Sequence, residues 1–219
     1  MTTPMASSSG RVAAYLIVRH GETEWSSSGR HTGRTDVELT EAGQIEAMSA
    51  GALIAAELGI DQPAAVFSSP RRRARDTARL AMRGVATDGP EPIVTDTLVE
   101  VDYGELEGLT ASQISEARPG WDLWQDGCPG GETPDDIARR VAGFVQLAED
   151  ASPAGGVVVA FTHGHFSRAL VALLLGLPIT VANTLVNDTA SLAVVRRRRG
   201  ALTLSGWNIR PQGAAPRPA

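Results

Sequence analysis

Residues 12–25, VAAYLIVRHGETEW, pass from an unbroken apolar run into a polar cluster. The apolar run at 12–18 predicts a strand that is buried on both faces of a largely parallel sheet. In open sheets of this kind, ligands bind outside the carboxyl ends of the strands. We therefore expect the residues that directly follow this strand, Arg19, His20 and Gly21, to carry chemistry.

A second buried strand is predicted at 157–161, and it also ends at a polar cluster, which contains His163, Gly164 and His165. Further strands are predicted at 65–67, at 93–95 and in a hairpin of 191–195 and 201–204, and helices at 40–58, 70–82, 110–118, 133–150 and 167–175. This alternation predicts an α/β fold of three layers, with an open, mainly parallel sheet and helices on both faces.

Composition excludes several classes of protein. With 219 residues, 42% of them hydrophobic, the chain can bury one sizeable core, so we expect a single domain at 11–210 between disordered tails at 1–10 and 211–219. The net charge of -5 argues against a nucleic-acid partner, and no segment resembles a signal peptide or a membrane span. The single cysteine, Cys128, can form no intrachain disulfide, which suits a cytoplasmic protein.

Histidines and arginines that follow strands suggest a site for phosphate. Arg19 precedes His20, and a neighbouring cation disfavours the imidazolium form, so His20 is expected to be neutral and nucleophilic. Gly21 has no side chain and would let backbone approach a ligand closely. An isolated histidine is more often structural, but here two strand ends carry histidines beside arginine and glycine.

A run of arginines at 71–75 follows Ser69 and Pro70, where Pro70 is expected at the first helical position. Cations are unfavourable at a helix N-terminus, so at least one of these arginines is expected to have an anionic partner. Together with the histidines, the run could surround one phosphate with guanidinium and imidazole groups. Phosphoryl transfer depends on positioning and charge neutralisation, which arginines can supply without a metal.

A general acid is needed to protonate the leaving oxygen. Glu100, Asp102, Glu105 and Glu107 are candidates, and composition does not choose among them.

The motifs resemble the signature of the histidine phosphatase superfamily, the phosphoglycerate-mutase-like enzymes. The similarity begins with LIVRHGETEW at 16–25 and continues through GRHTGRTD at 29–36, SPRRRA at 69–74, LVEVDYG at 98–104, GET at 131–133 and THGH at 162–165.

The resemblance implies a role for residues at matching positions. His20 would be the nucleophile, Arg19, Arg73 and His163 would bind the phosphate, and Glu100 would donate and accept the proton. Positions that usually line the substrate pocket are matched by Thr23, Ser26, Thr32, Gly33 and Tyr103, and the residues that follow the two strands, Gly21, Gly164 and His165, are expected to border it. A structural hydrogen bond is an equal alternative for His165.

Within the superfamily, residues 121–133 resemble a subgroup of mycobacterial acid phosphatases and fungal sedoheptulose-bisphosphatase-like enzymes. Cofactor-dependent phosphoglycerate mutases carry a longer insertion with arginines for the substrate carboxylate, whereas residues 109–130 are short here and contain only Arg118. Ser26 stands where mutases typically have asparagine. We therefore expect a phosphatase without metal or cofactor that hydrolyses small phosphate monoesters, including sugar phosphates, through a phosphohistidine.

Two alternatives remain: a phosphoglycerate mutase, and a catalytically silent binder of phosphorylated ligands. The expected partner is a small phosphorylated metabolite, and exposed strand edges allow a homodimer.

Some residues have a less defined expectation. Glu132 could touch substrate or cap the next helix, and Trp121 and Trp124 are expected to pack rather than bind sugar. The arginines at 196–199 are expected to form a solvated hairpin tip, and Cys128 is expected to be inert.

Overall fold

The computed structural model describes residues 12–59, 61–85 and 91–210. The sequence predictions for the tails at 1–10 and 211–219 lie outside these residues. The strands are β1 (Ala14–Arg19), β2 (Ala65–Ser68), β3 (Ile93–Val94), β4 (Val157–Thr162), β5 (Leu192–Arg198) and β6 (Ala201–Ile209). The helices are α1 (Glu24–Ser27), α2 (Glu41–Leu58), α3 (Arg72–Met82), α4 (Ala111–Ala117), α5 (Leu123–Asp126), α6 (Pro134–Asp150) and α7 (Gly164–Leu174), with 3-10 helices at Asp96–Leu98, Gly104–Leu106 and Ile179–Thr184. Within the described ranges, no helix is both long enough and apolar enough to cross a bilayer.

The six strands form one sheet in the order β3-β2-β4-β1-β5-β6. The first four of these strands run parallel, while β5 and β6 are antiparallel to their neighbours. The predicted α/β fold with a mainly parallel sheet is confirmed. Because β1 and β4 are adjacent and Arg19 pairs with Thr162, the two polar clusters lie side by side at the carboxyl edge.

Side chains of β1 alternate between two apolar layers. Tyr15 and Ile17 pack on the side that contains Phe144 of α6 and Phe166 of α7. Leu16 packs on the other side, where the buried residues of α2 and α3 lie. A strand that is covered on both faces needs apolar residues at every position, which explains the unbroken apolar run.

Capping residues decide where the helices begin. The predicted N-cap of α2, Thr40, accepts a hydrogen bond from the Gly43 N–H, and Thr133 with Asp136 forms a capping box at α6, so both predicted starts are confirmed. Helix α3 instead begins at Arg72, and the prediction that Pro70 opens it is wrong. The cap comes from a distant loop, because Oδ1 of Asp36 accepts the Arg72 N–H at 2.8 Å.

The arginine-rich start of α3 has the anionic partners that its unfavourable position requires. The Arg72 guanidinium forms ion pairs with Glu38 and Asp76. The prediction that at least one arginine of the run has an anionic partner is confirmed.

The hairpin differs from the prediction. Strand β5 continues through Arg198, so the turn consists of Arg199 and Gly200. Arg196 pairs with Glu57 at 2.5 Å and Arg197 with Glu149 at 3.3 Å, and both arginines are partly buried. The prediction of a solvated arginine tip is therefore wrong for Arg196 and Arg197, since long strands carry them onto neighbouring helices.

Candidate active site

A cavity of about 370 Å³ opens where β1 and β4 end. Eight of the residues predicted for the site line it, together with eight that were not predicted. The predicted set is Arg19, His20, Ser26, Thr32, Glu100, Tyr103, Gly164 and His165, and the additional set is Gly29, Arg30, His31, Arg168, Asn183, Leu185, Val186 and Asn187.

His20 follows β1 directly and is 4% exposed. Its Nδ1 lies 2.7 Å from the carbonyl oxygen of Gly21. A carbonyl can only accept, so Nδ1 carries the proton and Nε2 keeps its lone pair in the neutral ring. The backbone therefore fixes the tautomer in which Nε2 carries the lone pair.

The ring of His163 packs edge-on against the ring of His20, with the two ring centroids 5.2 Å apart. Its Nδ1 accepts from Nε of Arg73 at 3.1 Å, so its Nε2 carries the proton and lies 2.8 Å from Oγ of Ser69. Burial, followed by the nearby charge of Arg73, holds the pKa of His163 well below its usual value. His163 is thus a neutral donor at neutral pH.

Arg73 is fully buried in the first turn of α3. Its terminal nitrogens donate to the carbonyl oxygens of Thr35 at 2.9 Å and Thr32 at 2.8 Å. Burial lowers the pKa of Arg73 to about 10, so the group remains a cation at neutral pH. These bonds fix the positive charge of Arg73 on the Nδ1 side of the His163 ring.

Arg19 lies over the start of α7. Its Nη1 donates to the carbonyl oxygen of Asn187 at 2.5 Å. A Cβ at Gly164 would lie only 3.3 Å from Cζ of Arg19. The absence of a side chain at Gly164 therefore leaves room for the guanidinium beside His20.

Glu100 caps α7 from a distant part of the chain. Its carboxylate accepts from the N–H groups of Val101 at 2.9 Å, His165 at 3.0 Å and Phe166 at 2.9 Å. The N-cap residue, His163, makes no side-chain capping bond, so Glu100 supplies the missing acceptor. For this reason α7 begins at Gly164, and the prediction of a start near Ser167 is wrong.

The other candidate acids have structural partners. Asp102 pairs with Arg34 at 2.5 Å, and Glu105 pairs with Arg118 at 2.8 Å. Oε2 of Glu107 accepts the Gly33 N–H at 2.9 Å, and its Oε1 accepts the Thr35 N–H at 2.9 Å. Of the four candidates, Glu100 is the one that lines the cavity.

Glu132 neither touches the cavity nor caps α6. It forms a two-point ion pair with Arg140, at 2.8 and 2.7 Å, and accepts the Asp102 N–H at 2.9 Å. Arg140 also donates to the carbonyl oxygen of Val99 at 2.5 Å and lies 4.4 Å from the Phe166 ring centroid. This pair holds the backbone on both sides of Glu100.

Aromatic groups form one wall of the cavity. The phenolic oxygen of Tyr103 lies 2.5 Å from Nδ1 of His165, and the rings of His31 and His165 stack at 5.5 Å. Burial holds the pKa of His165 well below its usual value and lowers the pKa of His31. His165 thus both borders the cavity and makes a structural hydrogen bond. Trp124 packs against the same ring at 5.7 Å, as part of the core.

Five of the predicted site residues do not line this cavity: Arg73 and His163, which are fully buried beside it, and Thr23, Gly21 and Gly33. Thr23 is fully buried and caps α1. A Cβ at Gly21 would lie 2.3 Å from the carbonyl oxygen of Gly43, and one at Gly33 would lie 2.4 Å from that of Val101. At Gly21 the missing side chain makes room for the backbone of α2, whereas the sequence prediction was of a close approach to a ligand.

Cys128 is buried, and burial raises the pKa of its thiol to about 12, as expected for an inert cysteine. In the ranges that the structure describes, no three His, Cys, Asp or Glu side chains are grouped so that they could hold a metal ion.

The site residues that sequence reasoning missed lie mostly in loops. His31 and Arg30 follow α1, and Asn183 and Asn187 lie in or after the last 3-10 helix. Ser69 is part of a motif that was recognised, but nothing in the sequence indicated its contact with His163.

Comparisons with known proteins all indicate the same family. The model of the histidine phosphatase superfamily (branch 1) matches residues 15–210. An acid phosphatase of Mycobacterium tuberculosis is 42% identical over 202 residues, which cover 91% of this chain and 95% of that protein. Sedoheptulose 1,7-bisphosphatase of Saccharomyces cerevisiae is 34% identical over 184 residues, which cover 75% of this chain and 68% of that protein.

The fold of the chain is also similar to that of a solved structure. The product of an open reading frame of Mycobacterium tuberculosis superimposes with a TM-score of 0.82 at 40% identity, covering 92% of this chain and all of that one. The resemblance drawn from the motifs, to both the superfamily and the subgroup, is confirmed.

Proposed function

The chain belongs to the histidine phosphatase superfamily (branch 1), and from this premise we propose that Nε2 of His20 is the atom that accepts the phosphoryl group. The enzyme is a phosphoric monoester hydrolase of that family. The observation that carries the assignment is the hydrogen bond from Nδ1 of His20 to Gly21, because it leaves the lone pair on Nε2.

In the first half of the reaction, the phosphate of the ester is held by Arg19 and by the Nε2–H of His163, which exchanges its contact with Ser69 for one with phosphate, while buried Arg73 adds positive charge through its bond to Nδ1 of His163. Nε2 of His20 attacks phosphorus in line, and Glu100 protonates the departing alkoxide. The cationic groups are fixed before substrate arrives, so little reorganisation is needed as charge moves in the transition state.

In the second half, water attacks the phosphohistidine and Glu100 accepts its proton. The P–N bond breaks, and the electron pair returns to Nε2 of His20. Inorganic phosphate then leaves and the enzyme is restored. The arginines supply the charge neutralisation, so the cycle as proposed uses no metal ion.

Small phosphorylated metabolites, including sugar phosphates, are the proposed substrates. A cavity of about 370 Å³ lies within the range of small-molecule sites. The yeast relative carries the name of a sugar bisphosphatase, and the mycobacterial relative that of an acid phosphatase.

Replacement of the nucleophile tests the proposal. His20→Ala should lower kcat for para-nitrophenyl phosphate by about 10³-fold or more, measured in chelator at acidic and neutral pH. Turnover by this variant at the rate of the unchanged enzyme would contradict the assignment of His20. No activity of the unchanged enzyme would favour a silent binder.

A second assay separates hydrolysis from mutase activity. The enzyme is mixed with 3-phosphoglycerate and 2,3-bisphosphoglycerate, and 2-phosphoglycerate and inorganic phosphate are measured. Release of phosphate should dominate, because the short segment at 109–130 contains only Arg118 to hold a carboxylate intermediate. Rapid isomerisation would show that a mutase is the better description.

We also propose a cytoplasmic homodimer. Strand β6 is a nine-residue edge strand with the exposed side chain of Leu204, which a second copy could cover. The single cysteine is compatible with a reducing compartment. Sedimentation equilibrium should give twice the chain mass, and the mass of one chain would contradict the dimer.

A further inference from the structure

We propose that Asn208, near the end of the edge strand β6, is a positioning residue for phosphate binding. Its side chain orients the peptide group between Asn187 and Asp188, and the carbonyl of that group holds the guanidinium of Arg19. Asn208 does not line the cavity, so it acts through Arg19 and not by touching substrate. The inference rests on the proposed function, since Arg19 is assumed there to bind the phosphate.

A β-bulge lies at Asn208 in β6. Between the pairs Leu192–Ile209 and Val194–Gly206, three steps along β6 oppose two steps along β5. Asn208 has a φ of 53°, in the left-handed region that asparagine tolerates better than most residues. Bulges redirect side chains and are frequent beside functional sites. The irregularity of β6 is therefore a reason to ask what the Asn208 side chain contacts.

The Asn208 amide binds Asp188 at two points. Its Oδ1 accepts the Asp188 N–H at 2.7 Å, and its Nδ2 donates to Oδ2 of Asp188 at 3.0 Å. A carboxylate can only accept, so the NH₂ group must face it and the amide oxygen must face the backbone N–H. The contact thus specifies one orientation of the amide.

One peptide group connects this contact to Arg19. The N–H of Asp188 and the carbonyl of Asn187 belong to the same planar trans peptide, in which the two groups point in opposite directions. Nη1 of Arg19 donates to that carbonyl at 2.5 Å. An acceptor on the N–H side therefore fixes the direction of the carbonyl on the other side. Hydrogen bonds in series also polarise one another, which strengthens the bond to Arg19.

The other contacts of Asn187 hold its side chain and not this peptide plane. Its Nδ2 donates to Oγ of Ser167, and its Oδ1 accepts from Oγ of Ser191 at 2.7 Å. Without Asn208, the peptide could rotate about the bonds that flank it and turn its N–H towards the guanidinium. Two donors would then face each other, and Arg19 would lose its fixed position.

Asn208→Gly removes the amide and keeps the backbone conformation, because glycine tolerates positive φ. With para-nitrophenyl phosphate, kcat/KM should fall about tenfold, mainly through a higher KM, since a displaced Arg19 holds the phosphate less well. The control is Thr203→Val on the same strand, which loses a bond to the carbonyl of Arg196 and should keep KM within about twofold. A lower kcat with unchanged KM would overturn the proposal, because a partly unfolded enzyme gives that result.

An exchange of the two side chains tests the contact itself. Asn208→Asp alone places two carboxylates against each other and should raise KM as much as Asn208→Gly does. Combined with Asp188→Asn, it restores a donor opposite an acceptor and keeps an oxygen for the backbone N–H. The double exchange should return KM to within about threefold of the unchanged enzyme. No recovery would overturn the two-point contact as the cause.

A binding cycle separates this inference from the proposed function. Titration calorimetry with inorganic phosphate is performed on the unchanged enzyme, Asn208→Gly, Arg19→Met and the double variant. Asn208→Gly should weaken binding about tenfold, and it should add nothing in the Arg19→Met background, because the effect passes through Arg19. Losses that multiply in the double variant would overturn the inference. Absence of turnover by the unchanged enzyme would instead contradict the proposed function, while the dependence of phosphate binding on Asn208 would still be measured.

Discussion

At the scale of single residues, His20 and His163 have opposite tautomers because their Nδ1 atoms meet opposite partners. Nδ1 of His20 faces a carbonyl acceptor, whereas Nδ1 of His163 faces the Nε–H of Arg73. One ring therefore presents a lone pair at Nε2 and the other presents a proton. Two identical side chains are thereby suited to the different roles that we propose for them, His20 as nucleophile and His163 as hydrogen-bond donor.

Glu100→Gln tests the proton carrier. A glutamine cannot deliver a proton to the leaving oxygen, so kcat for an alkyl phosphate such as glycerol 3-phosphate should fall by about 10²- to 10⁴-fold. Hydrolysis of para-nitrophenyl phosphate should fall much less in its first step, because nitrophenolate leaves without protonation. Stopped-flow release of nitrophenolate and steady-state assays give the two values. Equal losses for the two leaving groups would contradict a general-acid role.

The residue types at the site could be predicted from the sequence, but their partners could not. The motifs indicated His20, Arg19, Arg73 and His163 as one group. Bare residue chemistry left four acids open, and the structure separates them by giving Asp102 and Glu105 arginine partners. Such pairings depend on loop conformation, which one sequence does not fix.

At the scale of helices and strands, the predicted boundaries were accurate where the cap is local and wrong where it is distant. Thr40 and Thr133 lie beside the helices that they cap. The caps of α3 and α7 come from Asp36 and Glu100, which are remote in sequence. Local pattern contains no information about a cap of that kind, so both starts were misplaced.

The ion pair between Glu132 and Arg140 is expected to affect kcat, although neither residue lines the cavity. Arg140→Met should lower kcat for glycerol 3-phosphate by about tenfold with little change in KM, because Glu100 loses the support of its backbone at Val99. The matched control is Arg139→Met on the same helix, which removes an exposed pair with Asp136 and should change kcat less than about twofold.

Comparison of two esters with different leaving groups shows whether Arg140 positions Glu100 or only stabilises the fold. The effect of Arg140→Met should be larger for glycerol 3-phosphate than for para-nitrophenyl phosphate, as it is expected to be for Glu100→Gln. An equal effect on both esters would mean that Arg140 contributes stability alone.

At the scale of the whole molecule, the cavity is assembled from segments that are distant in sequence. Periodicity predicted the layers of the sheet and two buried strands that both deliver histidines to its carboxyl edge, but not that these strands are neighbours. The outer walls come from 26–32, 100–103, 164–168 and 183–187. Their convergence follows from the packing of loops and not from spacing, so His31, Arg168 and Asn187 were not anticipated as lining residues.

The buried histidines make the stability of the molecule dependent on pH. The pKa values of His163 and His165 are well below the value of about 6.5 that they regain on unfolding. As pH falls below about 6.5, the unfolded chain binds protons that the folded chain does not, so the free energy of unfolding decreases. Between about pH 7.5 and 5.5 the two groups together should remove about 2–3 kcal/mol.

Urea unfolding at those two pH values measures this loss, and His165→Gln should remove about half of it. A stability that is unchanged or higher at the lower pH would show that these imidazoles are not held neutral in the folded state.

The most direct test of the central claim is to trap the phosphoenzyme. The enzyme is mixed with a ³²P-labelled ester, quenched in alkali within milliseconds, digested and mapped by mass spectrometry. An alkali-stable, acid-labile phosphate on the peptide that contains His20, absent from His20→Ala, is the predicted result. Continued hydrolysis with no label on that peptide, or a label on His31, His163 or His165 instead, would contradict the account.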